Sequence, residues 1–323
     1  MRPLTDLPGP AAGGVFLHAM WRTGSSYLLS RFDPLPRWRT FYEPFNGEIG
    51  SAWLRARARA DHERRRLALR HPAVDGGYFA VYEQPDPANG QPLWRLAHPR
   101  LPLHDVYRGL SPQGDELLRA CVRVARDQGR QPVFGFCHSG VQIRAMMASH
   151  GGRHLYLERD PREQFFSYSP LKNDFFMAAT LLQLLAVPLW RPRLIQHLPA
   201  WCSLLHPGFL RQVPHRVAMA AGRQLWRAVE LPVAYQAFYL SWILSQTEAQ
   251  RSGIWRTSLR QLERDAAERR HLCEAFGVDL TGLNCQPSPV AQLGLDFRAL
   301  EQVVESKWLP LVEADAGAVM DGV

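Results

Sequence analysis

The segment Met20-Trp21-Arg22-Thr23-Gly24-Ser25-Ser26-Tyr27 sets one permanent cation, one glycine and three hydroxyls in consecutive positions, 22–26. Such a set binds anions. Gly24 reaches backbone angles closed to other residues and lets a ligand come close. Ser25 and Ser26 put hydroxyls beside the free N–H groups of a first helical turn. Arg22 stays protonated and suits a terminal or bridging anionic oxygen. A second segment, Arg159-Asp160-Pro161-Arg162-Glu163 with Ser167 beyond it, reads as a strand end running into a helix. Asp160 suits the N-cap, Pro161 the first helical position and Glu163 the third. Arg159 then projects from the strand end, Ser167 lies two turns along, and the pair suits one phosphate; an ordinary cap with a surface arginine gives the same residues. The first segment is not the loop of nucleoside triphosphatases, which needs G-x-x-x-x-G-K-[ST]. Aligned on Gly24, Ala19 stands for the first glycine and Ser25 for the lysine.

Both turns must be held by strands that feed helices. Residues 15–20 read as a buried strand and 25–32 as the helix after it; 154–158 is another strand, with a helix from Pro161. PVFGFC at 132–137 is a strand between helices at 117–129 and 141–152, each stopped by glycine. FYEPF at 41–45 reads as a short strand, 254–265 as a final strand and turn, and 269–280 as a helix ending at Gly277. This alternation predicts a parallel sheet. The stretch 170–250 reads as a mostly helical insertion, and 72–115 as irregular. The arginine-rich 51–70 reads as a solvated helix, with Arg55 and Arg59 on one face and Asp61 able to pair with Arg65. No repeat or long linker divides the chain. The prediction is one α/β domain over 1–323, a three-layer, P-loop-kinase-like fold with a central parallel sheet.

With 323 residues, 46% hydrophobic and 11% aromatic, the composition is that of a folded globular chain. The 38 basic residues exceed the 30 acidic ones, leaving a net charge of +8 borne almost wholly by arginine, with lysine at 172 and 307. The excess favours an anionic ligand or surface, although a GC-rich genome gives the same arginine bias. Its even spread argues against a nucleic-acid arm. The 5 cysteines are odd in number and lack C-x-x-C spacing, which predicts a reduced, cytoplasmic protein without a zinc site. The N-terminus lacks the apolar core of a signal peptide. FFMAATLLQLLAVPLW at 175–190 is interrupted by Gln183 and Pro188 and falls short of a transmembrane span of roughly 20 residues. It predicts a buried helix; a lid over a lipid-like substrate is the other reading.

R-[ST]-G-[ST]-[ST] after the first strand, together with R-D-P-R and a serine eight residues past its first arginine, resembles the cofactor elements of sulfotransferases that use 3′-phosphoadenosine 5′-phosphosulfate (PAPS). Bacterial and Golgi-type carbohydrate members are closer in pattern than the cytosolic group. The matched stretches are 14–46, 131–169 and, weakly, 254–280. The resemblance implies that Arg22, Thr23, Gly24, Ser25 and Ser26 bind the 5′ end of PAPS, and that Arg159 and Ser167 bind its 3′-phosphate. Tyr27 stands where the family often sets an aromatic ring against adenine, and equally suits a core tyrosine. Two residues match positions of the family's base. Glu43 follows the first helix, as in Golgi-type members, and His138 ends a strand, as in the cytosolic group. A turn carboxylate and a strand-end histidine are their structural alternatives. The chain departs from the cytosolic pattern in two ways: Arg22 replaces a lysine, and R-K-G-x-x-G near the C-terminus is reduced to Lys307-Trp308.

The implied reaction is in-line transfer of a sulfuryl group from PAPS to a hydroxyl of a small-molecule, carbohydrate or lipid acceptor. Glu43 or His138 would take the proton, Arg22 would stabilise the leaving group, and neither a metal nor nucleic acid is involved. Two other classes fit part of the pattern. One is a nucleotide or small-molecule kinase of similar fold, for which the lysine is missing. The other is a non-catalytic nucleotide- or lipid-binding protein.

Overall fold

The computed structural model describes residues 14–51, 55, 56, 77–97, 110–137, 139–168, 175–186, 191, 196, 213, 215–286 and 288–318. The strands are β1 (Val15–Ala19), β2 (Trp38–Tyr42), β3 (Gln131–Phe136), β4 (Arg153–Glu158) and β5 (Trp255–Ser258). They form one parallel sheet in the order β2-β3-β1-β4-β5. The helices are α1 (Ser25–Ser30), α2 (Pro112–Asp127), α3 (Ile143–Ser149), α4 (Pro161–Tyr168), α5 (Phe175–Ala186), α6 (His215–Ala228), α7 (Leu231–Arg251), α8 (Leu259–Arg264), α9 (Ala266–Phe276) and α10 (Phe297–Ala318).

β1 lies at the centre, with Val15 opposite Val133 of β3 on one side and Arg153 of β4 on the other. A parallel strand covered on both faces reads as an unbroken apolar run, as 15–20 does. Alternate residues divide between the faces. Val15 and Leu17 pack with Leu28 and Leu29 of α1, Leu262 of α8 and Phe276 of α9. Phe16 faces the other way, joining Phe41, Phe134 and Leu117 of α2. The Phe16 and Phe134 rings lie 4.8 Å apart. Gly135 of β3 lets α1 approach, since a Cβ there would stand 2.5 Å from Leu29 Cδ2. A further apolar cluster joins α4, α5, α6, α7 and α10 to Met20 and Trp21 at the end of β1. The three-layer α/β organisation matches the expectation, and the described part of 170–250 is mainly helical.

Several boundaries differ from the sequence reading. β2 ends at Tyr42, because Glu43 turns to φ 45 and leaves the strand. The stretch after β5 forms α8 rather than a turn. α2 starts at Pro112, with Ser111 as N-cap accepting from the Gly114 N–H at 3.0 Å. Arg55, expected on a solvated face, is buried: it donates to the Ile49 carbonyl at 2.7 Å, pairs with Glu83 at 3.0 Å and lies 4.0 Å from the centre of the Trp94 ring. Arg59, Asp61 and Arg65 lie outside the described residues, as does His138. α5 is the buried helix expected from its apolar run. Among the described residues no helix is long and apolar enough to cross a membrane.

Candidate functional site

Loops leaving the C-terminal ends of parallel strands meet at one edge of the sheet, where α/β proteins place ligands. Here these are the turn after β1, Glu43 after β2, Cys137 after β3, Arg159 after β4 and α8 after β5.

The turn after β1 is tightly fixed. Thr23 is buried, and its hydroxyl donates to the Met20 carbonyl at 3.0 Å. Gln164 of α4 donates to the Trp21 carbonyl at 2.7 Å. Arg159 Nη1 donates to the Arg22 carbonyl at 2.9 Å. Two residues take left-handed backbone, Arg22 at φ 65 and Gly24 at φ 97. At Gly24 only glycine fits without strain, and a Cβ there would stand 2.2 Å from Leu259 Cδ1 of α8. Arg22 adopts the same region at an energetic cost that the three carbonyl contacts hold in place. α1 is six residues long, shorter than 25–32. It keeps the free N–H groups of a first turn. Its short column of peptide dipoles leaves the arginines as the main positive charge here.

Arg22 Nε donates to Ser167 Oγ at 2.9 Å, and its guanidinium stands 5.9 Å from the centre of the Phe176 ring of α5. Asp160 caps α4 as expected, its Oδ1 accepting from the N–H groups of Arg162 and Glu163, each at 3.0 Å. Glu163 turns to arginines: its Oε1 lies 2.6 Å from Arg260 and its Oε2 3.6 Å from Arg159. Arg159 Nη2 donates to Ser288 Oγ at 2.9 Å. The two sequence motifs thus occupy one place, with Arg22, Arg159 and Ser167 in direct or shared contact.

The remaining candidates fall around this centre. Ser25 is buried, with its hydroxyl 3.5 Å from Cys137 Sγ. Ser26 is partly exposed at the start of α1. Tyr27 carries the Arg31 guanidinium 4.5 Å from its ring centre and accepts a bond from Arg31 at 2.8 Å. Lys307 is exposed on α10 and Trp308 packs into the helical cluster, so this dipeptide belongs to the α10 packing. Glu43 Oε2 accepts from Asn46 Nδ2 at 2.9 Å, and its N–H donates to the Gly135 carbonyl at 2.7 Å. Burial pushes the Glu43 carboxyl above the usual carboxylate range, while hydrogen bonds from Asn46, Cys137 and Trp21 pull it back. Burial also pushes the Cys137 thiol well up, and the Glu43 charge adds to that. Glu43 therefore meets Ser25 through one thiol.

Sequence reasoning missed Arg260 and Ser288. Both join the centre through tertiary contacts, and no local spacing marks them.

No known family matches the chain, and no curated protein does. Among solved structures, the crystal structure of sulfotransferase STF9 from Mycobacterium avium is similar at 14% sequence identity and a TM-score of 0.44, covering 95% of this chain and 78% of that one.

Proposed function

We propose that the protein is a PAPS-dependent sulfotransferase, moving a sulfuryl group to a hydroxyl of a small-molecule, carbohydrate or lipid acceptor. The observation that carries this reading is the bond between Arg22 and Ser167 at 2.9 Å, with Arg159 on the Arg22 carbonyl. A nucleotide that carries two anionic groups needs more than one cation, and the bond joins the two segments that anion chemistry singles out in the sequence.

The residues suit that donor. The left-handed Gly24 and the open first turn of α1 offer backbone N–H groups, Arg22 offers a fixed charge, and Arg159 with Ser167 offers a cation and a hydroxyl. The donor supplies the activated sulfuryl group. Glu43 takes the acceptor's proton as the acceptor oxygen bonds to sulfur. The bond from sulfur to the bridging oxygen breaks, and Arg22 stabilises the charge left on adenosine 3′,5′-bisphosphate. A carboxylate raised by burial is the stronger base. Calorimetric titration with adenosine 3′,5′-bisphosphate tests the reading. Binding that is lost in Arg159→Ala is expected, and absence of binding to the intact protein overturns it.

A further inference from the structure

Arg159 and Arg260 share one counterion. Glu163 offers one carboxylate oxygen to each, at 3.6 Å and 2.6 Å respectively. The sheet dictates this meeting. β4 and β5 run side by side with Glu158 opposite Ser258, so Arg159 and Arg260, which follow them, leave the same edge together. Of the neighbouring carboxylates, Glu158 pairs with Arg256 at 2.8 Å, and Glu263 accepts from the Cys285 N–H at 3.0 Å. Two guanidiniums therefore meet on the Glu163 carboxylate, which offers one negative charge to the pair. The place is sheltered yet open to a ligand, with the side chains of Arg159, Arg260 and Glu163 exposed by 26%, 33% and 14%. Burial lowers the Arg159 guanidinium, Glu163 partly restores it, and Arg260 lowers it further. A dianion relieves such like-charge strain, and a phosphate monoester carries about two negative charges at neutral pH.

We propose that Arg260 is the second guanidinium of the terminal-phosphate subsite whose first is Arg159, with Ser288 as a hydroxyl at its rim, and that Glu163 holds the two arginines together until a phosphate monoester replaces it as their counterion. This rests on the function proposed above and adds a residue to it. In this assignment Arg260 acts on the phosphate that Arg159 holds. A ligand lacking that phosphate should be indifferent to it.

The test titrates the full chain with adenosine 3′,5′-bisphosphate and with adenosine 5′-phosphate. Arg260→Ala is expected to weaken the bisphosphate about tenfold or more while leaving the monophosphate within about twofold. Arg260→Gln keeps the side chain's length and should show the same selective loss, which separates lost charge from disturbed packing. Arg260→Lys should recover part of the affinity as a point charge without the planar fork. Glu163→Gln should tighten the bisphosphate by removing a competing anion. Equal losses for both ligands, or no loss in Arg260→Ala and Arg260→Gln, overturn the role of Arg260. A wild-type chain that does not prefer the bisphosphate instead overturns the underlying reading of the site.

Discussion

Arg22 and Ser167 are 145 positions apart in the chain, yet their side chains share a hydrogen bond of 2.9 Å. The bond ties the turn after the central strand to the second turn of α4, and so fixes Arg22 against α4. Ser167→Ala removes the acceptor and leaves a part-buried guanidinium N–H unsatisfied. The expected cost is about 1 kcal/mol of stability and a several-fold weaker grip on adenosine 3′,5′-bisphosphate. Arg159→Ala removes a charge and the donor that holds the Arg22 carbonyl, so its loss of affinity should exceed about tenfold. Denaturant titration and calorimetry measure the two effects separately.

Gly24→Ala should destabilise the protein by about 1–3 kcal/mol from backbone strain alone, since its φ of 97 suits only glycine. The added methyl also forces Leu259 aside, because its Cβ would stand 2.2 Å from Leu259 Cδ1. Adding Leu259→Ala should relieve the crowding but not the strain. Urea denaturation of the two single variants and the double variant reads both parts. A Gly24→Ala chain as stable as the wild type would refute this account of the turn.

Glu43→Gln should lower turnover by about 10²–10⁴ while bisphosphate binding persists. With Glu43 as the proposed base, which acts when deprotonated, activity is expected to rise with pH through its pKa. Burial sets that acid limb above the usual carboxylate range. Cys137→Ala removes a bond that favours the charged carboxylate, and should move the limb to higher pH. A limb that stays in place in Cys137→Ala, measured as turnover against pH, would show that the thiol does not tune the base.

Stability should fall below neutral pH through a buried histidine pair. His18 of β1 shares a 3.0 Å hydrogen bond with His154 of β4, and its other ring nitrogen meets Ser139 Oγ at 2.8 Å. Burial holds both rings neutral; His154 is lowered to about 4, and His18 lies well below its ordinary value. The unfolded chain takes up their protons near pH 6.5 while the folded chain refuses them, so stability is intact above about 6.5 and is lost as pH falls toward 4. His154 alone contributes about 1.4 kcal/mol of loss per pH unit across that window. Denaturant midpoints at pH 8 and pH 4.5 should differ accordingly, and His154→Gln should flatten the difference.

The residues that were legible in the sequence are those whose role is local. The apolar run 15–20 gave β1, Asp160 and Pro161 marked the start of α4, and Gly277 at φ 64 ends α9 where a glycine stop was expected. FYEPF misplaced β2 by three residues because its apolar pattern continues past the point where Glu43 turns out of the ladder. α10 went unseen although Phe297, Leu300, Val304 and Trp308 carry helical spacing, since Pro310 interrupts the pattern and the helix tolerates it. Arg55 read as solvated because neighbouring arginines set its context, whereas Trp94 and Glu83 enclose it. Arg260, Ser288 and the link from Cys137 to Glu43 depend on strand order, which no spacing encodes.

Phe176, the second residue of the apolar helix α5, lies beside the Arg22 guanidinium, with Trp21 against the same ring. Exchanging that helix would therefore disturb the Arg22 turn along with the helical cluster in which α5 packs. A grafted α5 should keep Phe176 if the Arg22 turn is to keep its shape.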